Sequence, residues 1–199
     1  MAQTMTTELE AVNTMLSCVG EAPINSLLGD LPASIQIAVD LLNDVSRRTQ
    51  AKGWSFNTEE DYELALNGDS ECVLPGDCLS CDLTVEDWSV NLVQRGTRLY
   101  DRKNHTYELD AAPRCTIVFF LTWDELPEAA RNYIKIKAAR IHQDNTVGSE
   151  SHHRYSQQDE IEAYADIVGA NAEAEDATIF DNWDVGSIVS RKRVQTYNF

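Results

Sequence analysis

The sequence predicts a mainly α-helical α+β fold: a four-helix bundle with a small antiparallel β domain inserted between helices 2 and 3, plus an extended C-terminal arm. Near both ends of the chain, apolar residues recur every three or four positions, as on one face of a helix. In the middle, short apolar or alternating runs lie between turn residues, which is typical of strands. Two helices on each side of an insertion can bury their apolar stripes in one bundle.

The first two helices are predicted from their stripes and ends. A helix over residues 7–19 is followed by Gly20 as its stop. Its stripe consists of Leu9, Val12, Leu16 and Val19. Asp30 as a capping acid and Pro32 as an early proline indicate the start of a second helix, which ends at Gly53. The second stripe consists of Ile35, Ala38, Leu42 and Val45.

The strands and the last two helices follow the same logic. The predicted strands are 62–66, 78–83, 88–93, 97–100 and 115–121. Pro127 begins a third helix that ends at Gly148, and Ser149 can cap a fourth. The third stripe consists of Ala130, Ile134, Ala138 and Ile141, and the fourth of Tyr155, Ile161, Tyr164, Ala165, Val168 and Ala172. The predicted parts are the first half of the bundle at 1–57, the β domain at 58–122, the second half of the bundle at 123–180 and the arm at 181–199.

The composition excludes several classes of protein. The chain has 199 residues with 16 Lys+Arg against 33 Asp+Glu, a formal net charge of −17. A protein that coats DNA needs a basic surface, so we expect DNA to be tolerated or repelled rather than bound. The first residues lack a basic head and an apolar run, and no window approaches about eighteen apolar residues. We therefore expect a soluble chain that is not exported by the general route and has no membrane partner.

Acidic residues are concentrated in two stretches without Lys or Arg. The first, at 58–87, holds ten carboxylates, and the second, between Arg154 and Arg191, holds nine. Such a stretch is either a solvated face or a surface that shapes the electrostatic field. The candidate channel or acidic face consists of Glu59, Glu60, Asp61, Glu63, Asp69, Glu71, Asp77, Asp82, Glu86 and Asp87.

The last nineteen residues differ from the rest of the chain. They carry a net charge of +1 against −18 elsewhere. Their apolar residues are too many for a solvated tail and too few for an independent core. The arm either folds back on its own domain or docks on another subunit, where a segment can order against a preformed surface. The candidate interface residues are Trp183, Ile188, Val189, Arg191, Lys192, Arg193, Tyr197 and Phe199.

The five cysteines favour free thiols in a reducing compartment, because their number is odd and we expect no signal peptide. Only Cys78 and Cys81 have the spacing of a metal-binding pair. They lie in a predicted strand, where positions i and i+3 face opposite sides, whereas a zinc pair needs a tight turn. We expect small buried or half-buried apolar groups and no metal.

Patterns for catalysis are absent from the sequence. The four histidines have no partner spacing, no Gly-x-Ser-x-Gly motif occurs, and the glycines form no phosphate-binding loop. The histidines are His105, His142, His152 and His153. We predict no catalytic residue and no cofactor. The alternative is a tail enzyme that degrades cell-envelope polysaccharide, which needs two carboxylates about 5–10 Å apart and would draw on the acids at 59–63.

Four separated motifs occur in the order of a known family. They are Ala11-Val12-Asn13-Thr14-Met15-Leu16 with Gly20-Glu21-Ala22-Pro23, then Gly53-Trp54-Ser55-Phe56-Asn57, Arg95-Gly96-Thr97-Arg98-Leu99-Tyr100-Asp101, and Asp124-Glu125-Leu126-Pro127-Glu128-Ala129-Ala130-Arg131-Asn132-Tyr133-Ile134. With these motifs the sequence resembles the adaptors, or tail tubular proteins A, of T7-like short-tailed bacteriophages, over residues 9–180. Thr97 stands where the family often has a second glycine, and the resemblance fades after Asn182.

The resemblance implies a structural virion protein, not an enzyme. It implies a twelvefold ring in the tail, assembled in the host cytoplasm, that joins the capsid portal to the tail nozzle (tail tubular protein B), with the tail fibre as a further candidate partner. DNA would pass through the ring without specific binding, and the acidic balance suits such a channel wall. The bundle would form the ring, the β insertion would point to the nozzle, and the arm would reach a neighbour or the portal. A generic oligomeric scaffold is a second alternative, against which only the motifs argue.

Overall fold

The computed structural model describes residues 5–83, 91–148 and 150–175. Its helices are α1 (Glu8–Cys18), α2 (Ala33–Gln50), α3 (Glu128–Thr146) and α4 (Glu150–Ala174), with a short 3-10 helix at Trp123–Glu125. Its strands are β1 (Thr58–Glu63), β2 (Cys78–Leu83), β3 (Leu92–Arg95), β4 (Arg98–Asp101) and β5 (Arg114–Phe119). The described strands lie between α2 and α3 and pair in antiparallel fashion, which confirms the predicted α+β class.

The four helices share a hydrophobic core in which α3 contacts each of the other three. Its largest fully buried side chains include Met15, Leu16, Leu42, Ile134 and Ile167. The Thr7 hydroxyl caps α1 by accepting the N–H of Glu10, whose carboxylate accepts the N–H of Thr7 at 2.8 Å. Gly20, at φ +81°, follows the helix as predicted, because a residue in this conformation is favourable only without a Cβ.

A buried arginine fastens the start of α3. The guanidinium of Arg131 donates to the carbonyl groups of Leu126 at 2.8 Å, Asp124 at 2.7 Å and Thr6 at 3.0 Å. Three carbonyl acceptors satisfy most of its donors without a carboxylate. The segment before α1 is thereby tied to the turn before α3.

The β part has a second hydrophobic core. The order β1-β5-β2 makes β5 the central strand of a three-stranded sheet, and β3 pairs with β4 in a separate hairpin. The buried residues of this core are Leu64, Cys72, Leu74, Leu99, Leu109, Cys115 and Ile117. Both β1 and β2 therefore lie at edges of the sheet, where their side chains can reach solvent.

Two buried amides join α2 to the segment around β5. The side chain of Gln50 accepts the N–H of Leu121 at 2.7 Å and donates to its carbonyl at 3.0 Å. The side chain of Asn57 accepts the N–H of Trp54 at 2.9 Å and donates to the carbonyl of Phe119 at 2.7 Å. These buried bonds fix the position of the sheet relative to the end of α2.

The turn between these amides requires a glycine. Gly53 has φ +71°, and a Cβ at this position would lie 3.3 Å from a methyl group of Val118. A side chain would therefore meet both backbone strain and a close contact with β5. The motif that contains Gly53, Trp54 and Asn57 thus forms the junction between the helical and β parts.

Two details of the predicted helices are wrong. Asp30 does not cap α2, which begins after Pro32 without a side-chain cap. The described part of the predicted stripe of α4 is largely exposed: Ile161 is 57% exposed and Val168 is 42% exposed, whereas Ala163 and Ile167, outside that stripe, are buried. Because α4 packs mainly on α3, it buries only a narrow stripe and leaves its remaining apolar residues exposed.

The strands agree with the prediction in number and approximate position. The bounds of β2 match, but β1 lies at 58–63 rather than 62–66, because pairing with β5 extends through an acidic segment of poor strand propensity. The strand predicted at 88–93 is found at 92–95, with 84–90 outside the described residues. Ser149, predicted as a cap, also lies outside them.

Candidate assembly surfaces

Strand β1 forms an acidic sheet edge. Its exposed acids are Glu59, Glu60, Asp61 and Glu63. A bulge between Glu59 and Tyr62, with Asp61 at φ 54°, interrupts the alternation of sides, so three consecutive carboxylates reach solvent. Arg114 on β5 pairs with Asp61 and with Glu63. Within the described ranges, Glu59 and Glu60 have no ion pair.

The other predicted acids do not extend this edge. Asp69 is exposed in the turn after β1, and Glu71 accepts two hydrogen bonds of 2.9 Å from Arg98. Asp77 and Asp82 lie at β2, which is the opposite edge of the sheet. Outside the described residues lie Glu86 and Asp87.

Strands β3 and β4 form a basic hairpin that the sequence analysis did not single out. The guanidinium of Arg95 lies 3.6 Å from the ring centroid of Tyr100, and that of Arg98 lies 4.4 Å from the ring centroid of Tyr107. The two rings meet edge to face at 4.9 Å. These cation–π contacts hold two bases on the surface, next to the exposed Arg102. In the sequence, Arg95 is the first basic residue after the stretch 58–87 that contains no Lys or Arg, so this contrast in charge is visible without the structure.

A groove of about 430 Å³ lies where β1, the hairpin and the segment before β5 meet. Its acidic lining residues are Glu63, Asp101, Glu108 and Asp110. Burial opposes ionisation of Asp101, but hydrogen bonds from the N–H groups of Lys103 and Asn104 hold its pKa below the ordinary value. Glu63 is paired with Arg114. Asp101 is thus stabilised in the ionised form, whereas glycoside hydrolysis needs one protonated carboxyl group.

A second groove, the α3–α4 groove, has a volume of about 470 Å³. Its lining residues are Lys52, Tyr133, Arg140, Gln157, Glu160, Ile161 and Tyr164. The ammonium group of Lys52 lies 4.6 Å from the ring centroid of Tyr164, and Nε of Arg140 donates to Glu160 at 2.5 Å. The groove combines aromatic faces with two cations and one carboxylate. Sequence reasoning missed it because three separate segments supply its walls.

The described cysteines are free, and their positions correct one argument from the sequence. Cys78 and Cys81 both pack against the β core, although strand alternation predicts opposite sides. A bulge between Cys78 and Ser80 shifts the register and brings both thiols to one side. Burial raises the pKa of Cys81, and it raises the pKa of Cys72 to about 11. Over the described residues, no group of three or more His, Cys, Asp or Glu could hold a metal ion.

The predicted interface residues of the arm lie outside the described residues. They are Trp183, Ile188, Val189, Arg191, Lys192, Arg193, Tyr197 and Phe199. In the part of the chain that is described, no helix is both long and apolar enough to cross a bilayer.

An α+β subunit with an acidic sheet edge, a basic hairpin and a partly apolar groove has the make-up of a structural assembly protein. The family model described as tail tubular protein matches residues 9–177, and the chain therefore belongs to the tail tubular protein family. The resemblance found in the motifs is confirmed at this level. No curated protein matches the chain. Membership places the chain in the tail of a phage virion, with a structural role in an assembly with other tail proteins.

Proposed function

We propose that this chain is the adaptor, tail tubular protein A, and forms a twelvefold ring between the capsid portal and the tail nozzle. The observation that supports this most is the extent of the family match. Residues 9–177 include α1, all described strands and α4, so the helix–β–helix order expected of an adaptor belongs to the matched region. The resemblance of the four motifs to adaptors favours subtype A over B.

We propose that the helical parts, 1–57 and 123–180, form the ring and that the β part, 58–122, points toward the nozzle. The two separate hydrophobic cores support this division, because each part buries its own apolar residues. The basic hairpin and the acidic edge both belong to the β part and are suited to selecting a partner by charge. The arm, 181–199, would reach a neighbouring copy or the portal.

The same proposal places DNA in the channel at the centre of the ring, through which it passes without specific binding. Glu59 and Glu60 are exposed on an edge strand and have no cationic partner in the described part of the chain. If copies of this edge faced the channel, their carboxylates would repel phosphates within a Debye length of about 8 Å. A repulsive wall lets DNA slide because it releases no counterions and gains no binding energy.

The test is attachment to the purified portal protein of the same phage, observed by electron microscopy. We expect the full chain to form a ring stacked on the portal, and a chain ending at Phe180 to lose attachment. A full chain that stays monomeric or dimeric with portal present would contradict the adaptor assignment. If the truncated chain attaches as well as the full chain, the proposed role of the arm is wrong, but the adaptor assignment is unaffected.

The polysaccharide-degrading alternative needs its own test, with purified host envelope polysaccharide as substrate. We expect no shortening of the polysaccharide chains, since family membership favours a structural role and Asp101, a carboxylate of the groove of about 430 Å³, is held in the ionised form. Cleavage by the wild-type chain that is lost in Glu108→Gln would support the enzyme instead.

A further inference from the structure

The α3–α4 groove has the features of a docking site. Lys52 contacts the ring of Tyr164 and pairs with no carboxylate within the described ranges. Arg140, Lys137 and Glu160 form a network at the other side, with Lys137 Nζ at 3.8 Å and Arg140 Nε at 2.5 Å from the Glu160 carboxylate. Arg140 also pairs with Asp144 at 3.0 Å, so three cations face two carboxylates, and Lys52 is the cation among them that has no ion pair within the described ranges.

The groove opens onto the exposed apolar side of α4. Ile161 is 57% exposed and Tyr164 is 39% exposed, and both line the groove. Val168 continues this side one to two turns further along the helix and is 42% exposed. An occupant that fits must therefore combine an aromatic or aliphatic anchor with negative charge, because a cation next to aromatic faces favours such a pair.

Two segments beyond the described residues have this composition, Glu86-Asp87-Trp88 and the one around Trp183, but the first lies in the chain between β2 and β3 and the second lies in the C-terminal part, which is joined to the described subunit at one end only. Trp183 lies between Asp181 and Asp184, with Phe180 just before them. Tryptophan is among the residues most often found as interface anchors, and the two flanking carboxylates are opposite in charge to Lys52.

Reach favours a second copy of the chain as the donor. Trp183 follows Glu175 by eight residues, which span about 29 Å when fully extended. Ile161 and Tyr164 lie about 21 Å and about 17 Å back along the helix from Glu175, at about 1.5 Å per residue. A reversal of direction takes about four residues, and the remaining four then reach only about 14 Å. The arm of another copy does not have to reverse its direction along its own α4 to reach the groove.

We propose that the α3–α4 groove receives Trp183 and its flanking carboxylates from a second copy of the chain. This inference rests on the proposed ring, and it specifies where one contact between neighbouring copies is made. The described groove supplies Tyr164 and Ile161 as the apolar wall and Lys52 as the cation closest to the exposed side of α4.

The test is photo-crosslinking in the full-length chain with benzoylphenylalanine at position 161. Unlabelled and ¹⁵N-labelled copies are mixed, both alone at high concentration and in complex with purified portal protein, and cross-linked peptides are identified by mass spectrometry. We expect hybrid cross-links that join position 161 of one isotope form to the 180–193 region of the other. The same probe at position 43, on the exposed side of α2, should give no such product.

Point variants test the chemistry of the contact. Trp183→Ala should reduce the yield of hybrid cross-links or the apparent association constant about thirty-fold, as for an anchor worth about 2 kcal/mol. Lys52→Glu should reduce it about tenfold, and combining Lys52→Glu with Asp184→Lys should restore most of the loss. Arg102→Glu, with the same change in charge on the distant hairpin, should have no effect on this cross-link.

The possible outcomes separate this inference from the proposed function. Cross-links within single copies only, or none to 180–193 in either sample, would overturn the inference. If the chain nevertheless attaches to the portal as a ring, the adaptor assignment stands without it. Hybrid cross-links in a chain that does not attach to the portal would support the groove and contradict the adaptor assignment.

Discussion

The helical part and the β part are built differently. The helical core contains aliphatic side chains from four helices, including Leu42 and Ile134, and a long-range hydrogen bond from Arg131 to the carbonyl group of Thr6 joins two of its segments. The β core is smaller and includes the buried thiols of Cys72 and Cys115. Its surface has an acidic edge and a basic hairpin. Burial is therefore concentrated in the helices, whereas the acidic edge and the basic hairpin both lie on the strands.

The largest expected effect concerns the two cores directly. Ile134→Ala should lower the free energy of unfolding by about 4 kcal/mol. Because α1, α2 and α4 surround α3, the cavity that the removed side-chain atoms leave cannot collapse. Ile117→Ala in β5 should cost less, about 3 kcal/mol, since the smaller β core can relax toward solvent. Urea denaturation measures both, with Ile37→Ala as the exposed control. A larger loss at Ile117 would reverse the comparison.

The next effect concerns the junction between the two parts. Asn57→Ala should cost about 3 kcal/mol, because it leaves the buried N–H of Trp54 and the carbonyl of Phe119 without partners. Far-ultraviolet circular dichroism and tryptophan fluorescence should then give unfolding curves that no longer coincide. Asn43→Ala, on the exposed side of α2, is the matched control and should change stability by less than about 0.5 kcal/mol. Coincident curves and a loss below about 1 kcal/mol would argue against a coupling role.

A smaller effect distinguishes the thiols of the β core from the exposed thiol of the helical part. Cys72→Ser should cost about 2 kcal/mol, because a hydroxyl is buried in an apolar site. Cys18→Ser, at the exposed end of α1, should change stability by less than about 0.5 kcal/mol. Thermal denaturation under reducing conditions compares the two variants. Equal losses of stability would show that the buried position of Cys72 does not make its replacement more costly than that of Cys18.

The smallest effect at neutral pH is expected at His142 in α3. It is 5% exposed, its Nε2 has no hydrogen bond among the described residues, and burial lowers its pKa. Because the unfolded chain then binds the proton more readily, stability should be constant above the ordinary histidine pKa and fall as the pH drops below about 6.5.

His142→Gln should remove this part of the pH dependence, whereas His105→Gln, in an exposed loop, should leave it intact. The measurement is the urea midpoint between pH 5 and pH 8. An unchanged slope in His142→Gln would assign the pH dependence to other groups.

The helical part could be predicted well because each helix has a period and an end that sequence makes visible. Gly20 and Pro127 mark helix boundaries close to the observed ones. The side of α4 that is buried could not be predicted, since apolar residues occur all around it and only the position of α3 selects Ala163 and Ile167. Tertiary contact, rather than periodicity, decided its rotation.

The β part was less predictable for a related reason. Bulges at β1 and β2 change which side a residue faces, so the thiols of Cys78 and Cys81 share one core despite their spacing. Of the candidate surfaces, the acidic stretch was visible as composition. The α3–α4 groove was not, because Lys52, Tyr133 and Tyr164 come from segments far apart in the chain.

The most direct test of the central claim is an electron cryo-microscopy map of the assembled tail. We predict a ring of this chain between portal and nozzle, with the helical parts of neighbouring copies in contact and 58–83 directed away from the portal. A map in which the chain occupies the distal tube, or in which the β part contacts the portal, would contradict the proposed assignment.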